Sequence, residues 1–308
     1  MQIQHPLLLL RGTLTNNFRK NGLLTKFFNA FQKQPLTAYL SSLLRRFRSR
    51  FSPKIVPVTP ELWASATINY EFVQRLALED QARLRHLASV FLSRKTISGA
   101  ANLQITDLIR IQIAAQASIL ILNLGLDYYD GWHEIIVYPA QFTTEHEVVD
   151  AAGVVHRTRS TLAGEAWLHG PVVLSYEDVA NTNGAHNVVI HEFAHKIDML
   201  NGGANGYPPL HKPLNREKWK QTFLTAYLQF CEAVDRAEAL PPRQTQQQAQ
   251  SALDAISIDP YAAENPAEFF AVCSEVFFEA PEVLAARFPA VFEQLALFYK
   301  QNPIKSSI

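Results

Sequence analysis

His191-Glu192-Phe193-Ala194-His195 decides how this chain of 308 residues is read. The run fits H-E-x-x-H, a pattern that on a helix builds a zinc hydrolase site. One helical turn separates the two histidines, so both project from one face. Two imidazoles so placed can hold one Zn²⁺ and leave room for a third ligand and a water. Glu192 follows the first histidine, where it can reach that water as general base. Working outward, Asn183-Gly184 offers a helix start with Asn183 as N-cap. Val188, Val189, Ile190, Phe193, Ala194 and Ile197 make the segment apolar enough for a buried central helix. Asn201-Gly202-Gly203 ends it with residues that tolerate positive φ. Asp198 shares the face of the histidines, three residues after His195, and is expected to accept a hydrogen bond from a ligand imidazole.

A third ligand must come from elsewhere. No histidine follows His195 at metzincin spacing, and His211, the only later one, sits in the Pro-rich stretch 207–213. A carboxylate on a downstream helix would complete a His₂Glu set. Residues 265–278 predict that helix, with Glu268, Glu275 and Glu279 as its acids. Glu268 lies in the first turn among aromatics, although Asn265-x-x-Glu268 also resembles a capping box. Glu275 stands two turns later on the same face. Spacing favours Glu268 over Glu275 as the ligand without deciding between them.

A family resemblance narrows that choice. H-E-F-A-H-K-I-D-M-L-N-G at 191–202 and D-P-Y-A-A-E-N-P-A-E-F-F-A-V-C-S-E-V-F-F-E-A-P-E at 259–282 resemble the Mlc titration factor A family of zinc-dependent peptidases. So do D-G-W-H-E-I-I-V-Y-P at 130–139 and G-P-V-V-L-S-Y at 170–176. The likeness runs from about residue 60 to residue 303. It implies that His191, His195 and Glu268 match the zinc ligands and Glu192 the catalytic base. Glu275 then falls behind the ligands, as Asp198 does. The resemblance also implies a gluzincin-like core similar to that of anthrax lethal factor, whose family carries a tyrosine seven residues before its ligand glutamate. That position is Tyr261 here, and its phenol would donate to the oxyanion of a tetrahedral intermediate. The expected fold is α+β and mainly helical, a zincin-like metallopeptidase core with a small sheet beside the HExxH helix. The expected function is peptide-bond hydrolysis with one Zn²⁺ per chain, leaning toward aminopeptidase-like action. The family's namesake binds a transcriptional repressor of sugar uptake genes, so sequestration of such a repressor is the rival function.

Composition sets the remaining bounds. Hydrophobic content of 48% fits a globular chain. The net charge is zero, yet residues 1–60 hold ten basic residues and no acid, leaving 18 basic against 28 acidic residues in the rest. This asymmetry predicts a basic N-terminal extension over 1–55 and a metallopeptidase domain over 56–308. Leu23, Phe27, Phe31 and neighbouring apolar residues give the extension amphipathic stretches suited to peripheral contact with an anionic membrane or an acidic partner. No stretch is expected to span a bilayer. The most apolar one, residues 109–126, is interrupted by Arg110, Gln112, Gln116 and Asn123. Two cysteines, Cys231 and Cys273, make no disulfide framework and read as core thiols. A cytoplasmic protein is expected, with a peptide or protein substrate and no direct nucleic-acid binding.

Along the chain, residues 57–60 read as a linker. Helices are expected around Leu84 to Leu92, over residues 106–124, 219–233 and 289–299. Strands are expected over 134–138 and 172–176, either of which could bind a substrate backbone as an added strand. Trp167 and His169 precede the second strand as candidate cleft residues.

Overall fold

The computed structural model describes residues 56–149, 155–162, 164–168, 170–181, 186–238 and 258–304. The basic extension over 1–55, His169 and the proposed cap Asn183 lie outside these residues. Three helices open the described body: α1 (Pro60–Thr67), α2 (Glu71–Gln74) and α3 (Leu78–Arg94). Strand β1 (Thr96–Gly99) leads to α4 (Asp107–Leu120) and then to β2 (Glu134–Tyr138). A hairpin of β3 (Phe142–Val149) and β4 (Val155–Leu162) follows. Next come β5 (Gly164–Ala166), β6 (Val172–Ser175) and the short α5 (Tyr176–Ala180). The remaining α-helices among the described residues are α6 (Val188–Asp198), α7 (Arg216–Glu238), α8 (Pro266–Glu279), α9 (Pro281–Arg287) and α10 (Pro289–Tyr299). The chain is therefore α+β and mainly helical, with a small sheet beside the HExxH helix.

That sheet has the order β1-β2-β6-β5. The first three strands are parallel, with Ile135 opposite Ile97 and Val172, and β5 closes the edge antiparallel to β6. All four residues of β6 are buried, as expected of a parallel strand covered on both faces. The β1–α4–β2 crossover supplies one cover. α4 buries ten of its 14 residues, and Nε2 of its buried Gln116 donates to the Tyr70 hydroxyl at 2.8 Å. The sequence reading placed no strand at β1 or β5. Four and three residues are too short for a period-2 pattern to stand out.

α6 begins later than Asn183 predicts. Its N-cap is Asn187, whose Oδ1 accepts from the Ile190 amide at 2.9 Å. The helix ends at Asp198, and after a 3₁₀ turn over Met199–Asn201 the chain turns away at Gly202, φ 137°. Val189, Ile190, Phe193, Ala194 and Ile197 are fully buried. Phe193 fits among Phe91, Tyr129 and Trp132, with ring centroids 5.0–5.7 Å away. This aromatic socket holds the back of α6 against α3 and α4, so its histidine face is turned toward α8.

α8 runs antiparallel to α6. Pro266 starts it behind the N-cap Asn265, whose Oδ1 accepts from the Ala267 and Glu268 amides. Phe269, Phe270, Phe277 and Phe278 anchor it in the core formed with α7 and α10. Glu268, Glu275 and Glu279 recur at intervals of seven and four, so they form one stripe along the helix. Cys273 is buried. Cys231 is only half-buried, because it faces the 3₁₀ turn after Asp259 rather than the centre of the core.

Candidate metal centre

Two ends of the α6–α8 pair are tied by the acid stripe. Near the start of α6, Glu275 Oε2 accepts from the Asn187 backbone amide and Glu279 Oε1 from the Asn187 side-chain amide, both at 2.6 Å. Carboxylates are favourable at a helix N-terminus, where amides lack intrahelical partners. One turn further along, His191 is gripped from both sides. Its Nδ1 donates to Glu275 Oε1 at 2.6 Å, and its Nε2 lies 2.9 Å from Glu268 Oε2. The bond to Glu275 orients the ring so that Nε2 faces Glu268.

His195 completes a triangle. Its Nε2 is 3.1 Å from His191 Nε2 and 3.1 Å from Glu268 Oε2. The two rings stand edge to face, 77° apart. These three side chains are a group able to hold a metal ion, their donor atoms lying within 4.8 Å of one another. Although burial alone would raise it, hydrogen bonds from the two histidines hold the Glu268 carboxyl at about 2. Glu268 thus spends its carboxylate on the histidines rather than on a capping box. Of the alternatives left open by spacing, the structure brings Glu268 to both histidines and Glu275 to the far nitrogen of His191.

Glu192 projects from the same helix into a cavity of about 720 Å³ that also reaches Gly164, His186, Asp259 and Tyr261. Only 5% of Glu192 is exposed. Burial pushes its carboxyl up to about 7 against the pull of the two histidines. Its neighbour across the cavity wall is β5. A Cβ on Gly164 would sit 2.6 Å from Glu192 Cγ and 2.7 Å from Val188 Cγ2, so only glycine lets the strand approach α6 this closely. Lys196 reinforces the approach from behind. Its ammonium donates to the Gly170 carbonyl at 2.9 Å and to that of Trp167, and stands 4.7 Å from the Trp132 ring centre. Burial lowers its pKa to about 8.

Tyr261 stands on a 3₁₀ turn, Pro260–Ala263, just before α8. Its ring centre is 6.1 Å from that of His191 and it is 49% exposed. Burial of the phenol, with Glu268 and Glu192 nearby, raises its pKa to about 12, so it keeps its proton. Asp198 is fully buried. Its Oδ2 accepts from the Asn205 and Gly206 amides at 2.7 Å, bracing the loop after α6. Its Oδ1 and His195 Nδ1 form no direct bond to protein atoms. Trp167 is half-exposed, its carbonyl rather than its ring engaging α6. The sequence reading missed Gly164, His186 and Asp259. Only the H-x-x-x-x-H spacing of His186 to His191 was there to flag the second of them.

Fold and triad together define a helical protein built around a His₂Glu group able to hold a metal, with a buried glutamate beside it. The sequence model of the glucose-regulated metallo-peptidase M90 family matches residues 44–300, and the chain belongs to that family. It is 34% identical over 245 residues to the Mlc titration factor A of Yersinia enterocolitica, covering 79% of this chain and 86% of that one. Identity to the protein of the same name from Salmonella arizonae is 36% over 247 residues, covering 79% and 91%. The Klebsiella pneumoniae protein of that name is 36% identical over 232 residues, covering 75% and 82%. Among the described residues no helix is long and apolar enough to cross a membrane.

Proposed function

We propose that residues 56–308 form a zinc-dependent peptidase that works in the cytoplasm and cleaves peptide bonds, with aminopeptidase-like action. The observation that carries this reading is the triangle of His191 Nε2, His195 Nε2 and Glu268 Oε2, with sides of 2.9–3.1 Å. Two imidazoles and one carboxylate are a donor set of catalytic zinc, and tetrahedral ligands with bonds of about 2.0–2.1 Å lie about 3.3 Å apart. The three donors are thus within a few tenths of an ångström of what the ion needs. A zinc ion held there would acidify a water and polarise the scissile carbonyl.

This chain's own residues supply the rest. Glu192 takes the proton of the attacking water and returns it to the leaving amine. A carboxyl at about 7 before metal binding is matched to both transfers. Glu275 keeps His191 in its ligand tautomer. Tyr261 offers its phenolic proton to the oxyanion. β5, the end strand of the sheet beside Glu192, and not β2 or β6, which are paired on both sides, accepts the substrate backbone as an added strand. The test is hydrolysis of a mixed peptide library by zinc-loaded wild type and Glu192→Gln. The variant is expected to keep zinc and lose at least roughly a hundredfold in rate. Wild-type hydrolysis by the variant would refute the assignment.

A second reading rests on the relatives' name, which says that those proteins titrate Mlc. Applied here, the chain would sequester a transcriptional repressor. Binding of that kind would survive Glu192→Gln, whereas peptidase activity would not.

A further inference from the structure

His186 lines the cavity, and its partners are Asp259 and Glu275. It immediately precedes the N-cap of α6, and its Nε2 pairs with Asp259 Oδ2. The other oxygen of Asp259 accepts from the Tyr261 amide at 2.8 Å, capping the turn that carries the phenol. On its opposite side, His186 Nδ1 faces Glu275 Oε2 at 3.8 Å. Glu275 is the residue that holds His191 through its other oxygen. A single imidazole therefore stands between two assemblies far apart in sequence: the turn bearing Tyr261, and the α6 terminus with its metal-facing histidine.

We propose that His186 is a positioning residue for Tyr261, clamping the Asp259–Tyr261 turn to the start of α6 so that the phenol faces the metal centre. The far end of the turn has another anchor, the Tyr227 hydroxyl donating to the Ala263 carbonyl at 3.1 Å. Buried Ile258 fixes the path of the chain just before Asp259. Neither sets the direction of the Asp259 carboxylate, which decides how the Tyr261 amide is held. His186 does so, and its charge is favoured there. The hydrogen bond it donates to Asp259, then the charge of Glu275, raise its pKa, while the same bond lowers that of Asp259. An exposed pair of this kind adds little to global stability. Its consequence is geometric, and misplacing a reacting group by about 1 Å can cost a hundredfold in rate.

The inference rests on the peptidase reading, and the experiment separates the two. Zinc content and peptide hydrolysis are measured for wild type, His186→Ala, His186→Gln, Tyr261→Phe and the double variant His186→Ala/Tyr261→Phe. His186→Ala should keep its zinc and lose roughly tenfold or more in kcat, with KM changed less than about twofold. His186→Gln, whose amide nitrogen reaches Asp259 like Nε2, should recover most of the loss. In the Tyr261→Phe background, His186→Ala should cost nothing further. An undiminished kcat in His186→Ala, or a loss that adds in full to that of Tyr261→Phe, overturns the proposal. Should wild type hydrolyse nothing, the peptidase reading fails, and the crystal structure of zinc-loaded His186→Ala decides the clamp by itself. The clamp predicts that the Tyr261 ring leaves its place 6.1 Å from His191; an unmoved ring overturns it.

Discussion

At the residue scale, two side chains near the centre each fix a choice through their bonds. Glu275 orients the ring of His191, and Asn187 caps α6 while binding two acids of α8. Glu279 shows the cost of this arrangement. Burial holds its carboxyl at about 7, above the ordinary 4.5, despite the hydrogen bond from Asn187 and the nearby Arg75. The folded chain therefore binds this proton more tightly than the unfolded one. The contribution to stability is greatest below pH 4.5, declines as pH rises to 7, and is constant beyond. The total loss is at most roughly 3 kcal/mol. Urea unfolding should show Glu279→Gln equal to wild type at pH 4.5 and more stable at pH 8. Equal stability at both pH values would mean that the carboxylate is fully compensated. His191, Glu192 and His195 were legible in sequence as a local pattern, whereas Glu268 was preferred to Glu275 through a family resemblance. His186 and Asp259 were not legible, since a pair 73 positions apart leaves no period to read.

At the element scale, the site is made by α6 and α8 running antiparallel with β5 closing one side. The long helices could be read from apolar spacing, and the start of α6 could not. Asn183 and Asn187 are both good caps. The cap is Asn187, whose backbone and side-chain amides Glu275 and Glu279 receive. Strand β5 was equally hidden, being three residues long and defined by its partner β6. Its glycine carries a prediction. In Gly164→Ala the new methyl must displace Glu192, Val188 or the strand. Overpacking of this sort costs about 1–3 kcal/mol. Moving Glu192 should lower kcat roughly tenfold or more while zinc binding persists. A fully active Gly164→Ala enzyme would show that β5 does not constrain the base.

At the scale of the whole molecule, the sequence predicted an α+β, mainly helical body with a small sheet beside the motif helix, and the structure has that architecture. The hairpin of β3 and β4 was not foreseen. Its strands run through residues such as Thr143, Glu145, Arg157 and Thr161, which lack the apolar alternation of a half-buried strand. Charge is unevenly spread along the chain: 18 basic against 28 acidic residues follow position 60. The aromatic packing around Phe193 and along α8 turns the histidine face of α6 toward the acids of α8, so the three donors meet because the core leaves those helices one orientation. The account stands on that meeting. Anomalous diffraction at the zinc edge, from crystals of the full chain grown with Zn²⁺, tests it most directly. One peak about 2.0–2.2 Å from His191 Nε2, His195 Nε2 and a Glu268 oxygen is predicted. A peak elsewhere, or none at these three residues, would contradict it.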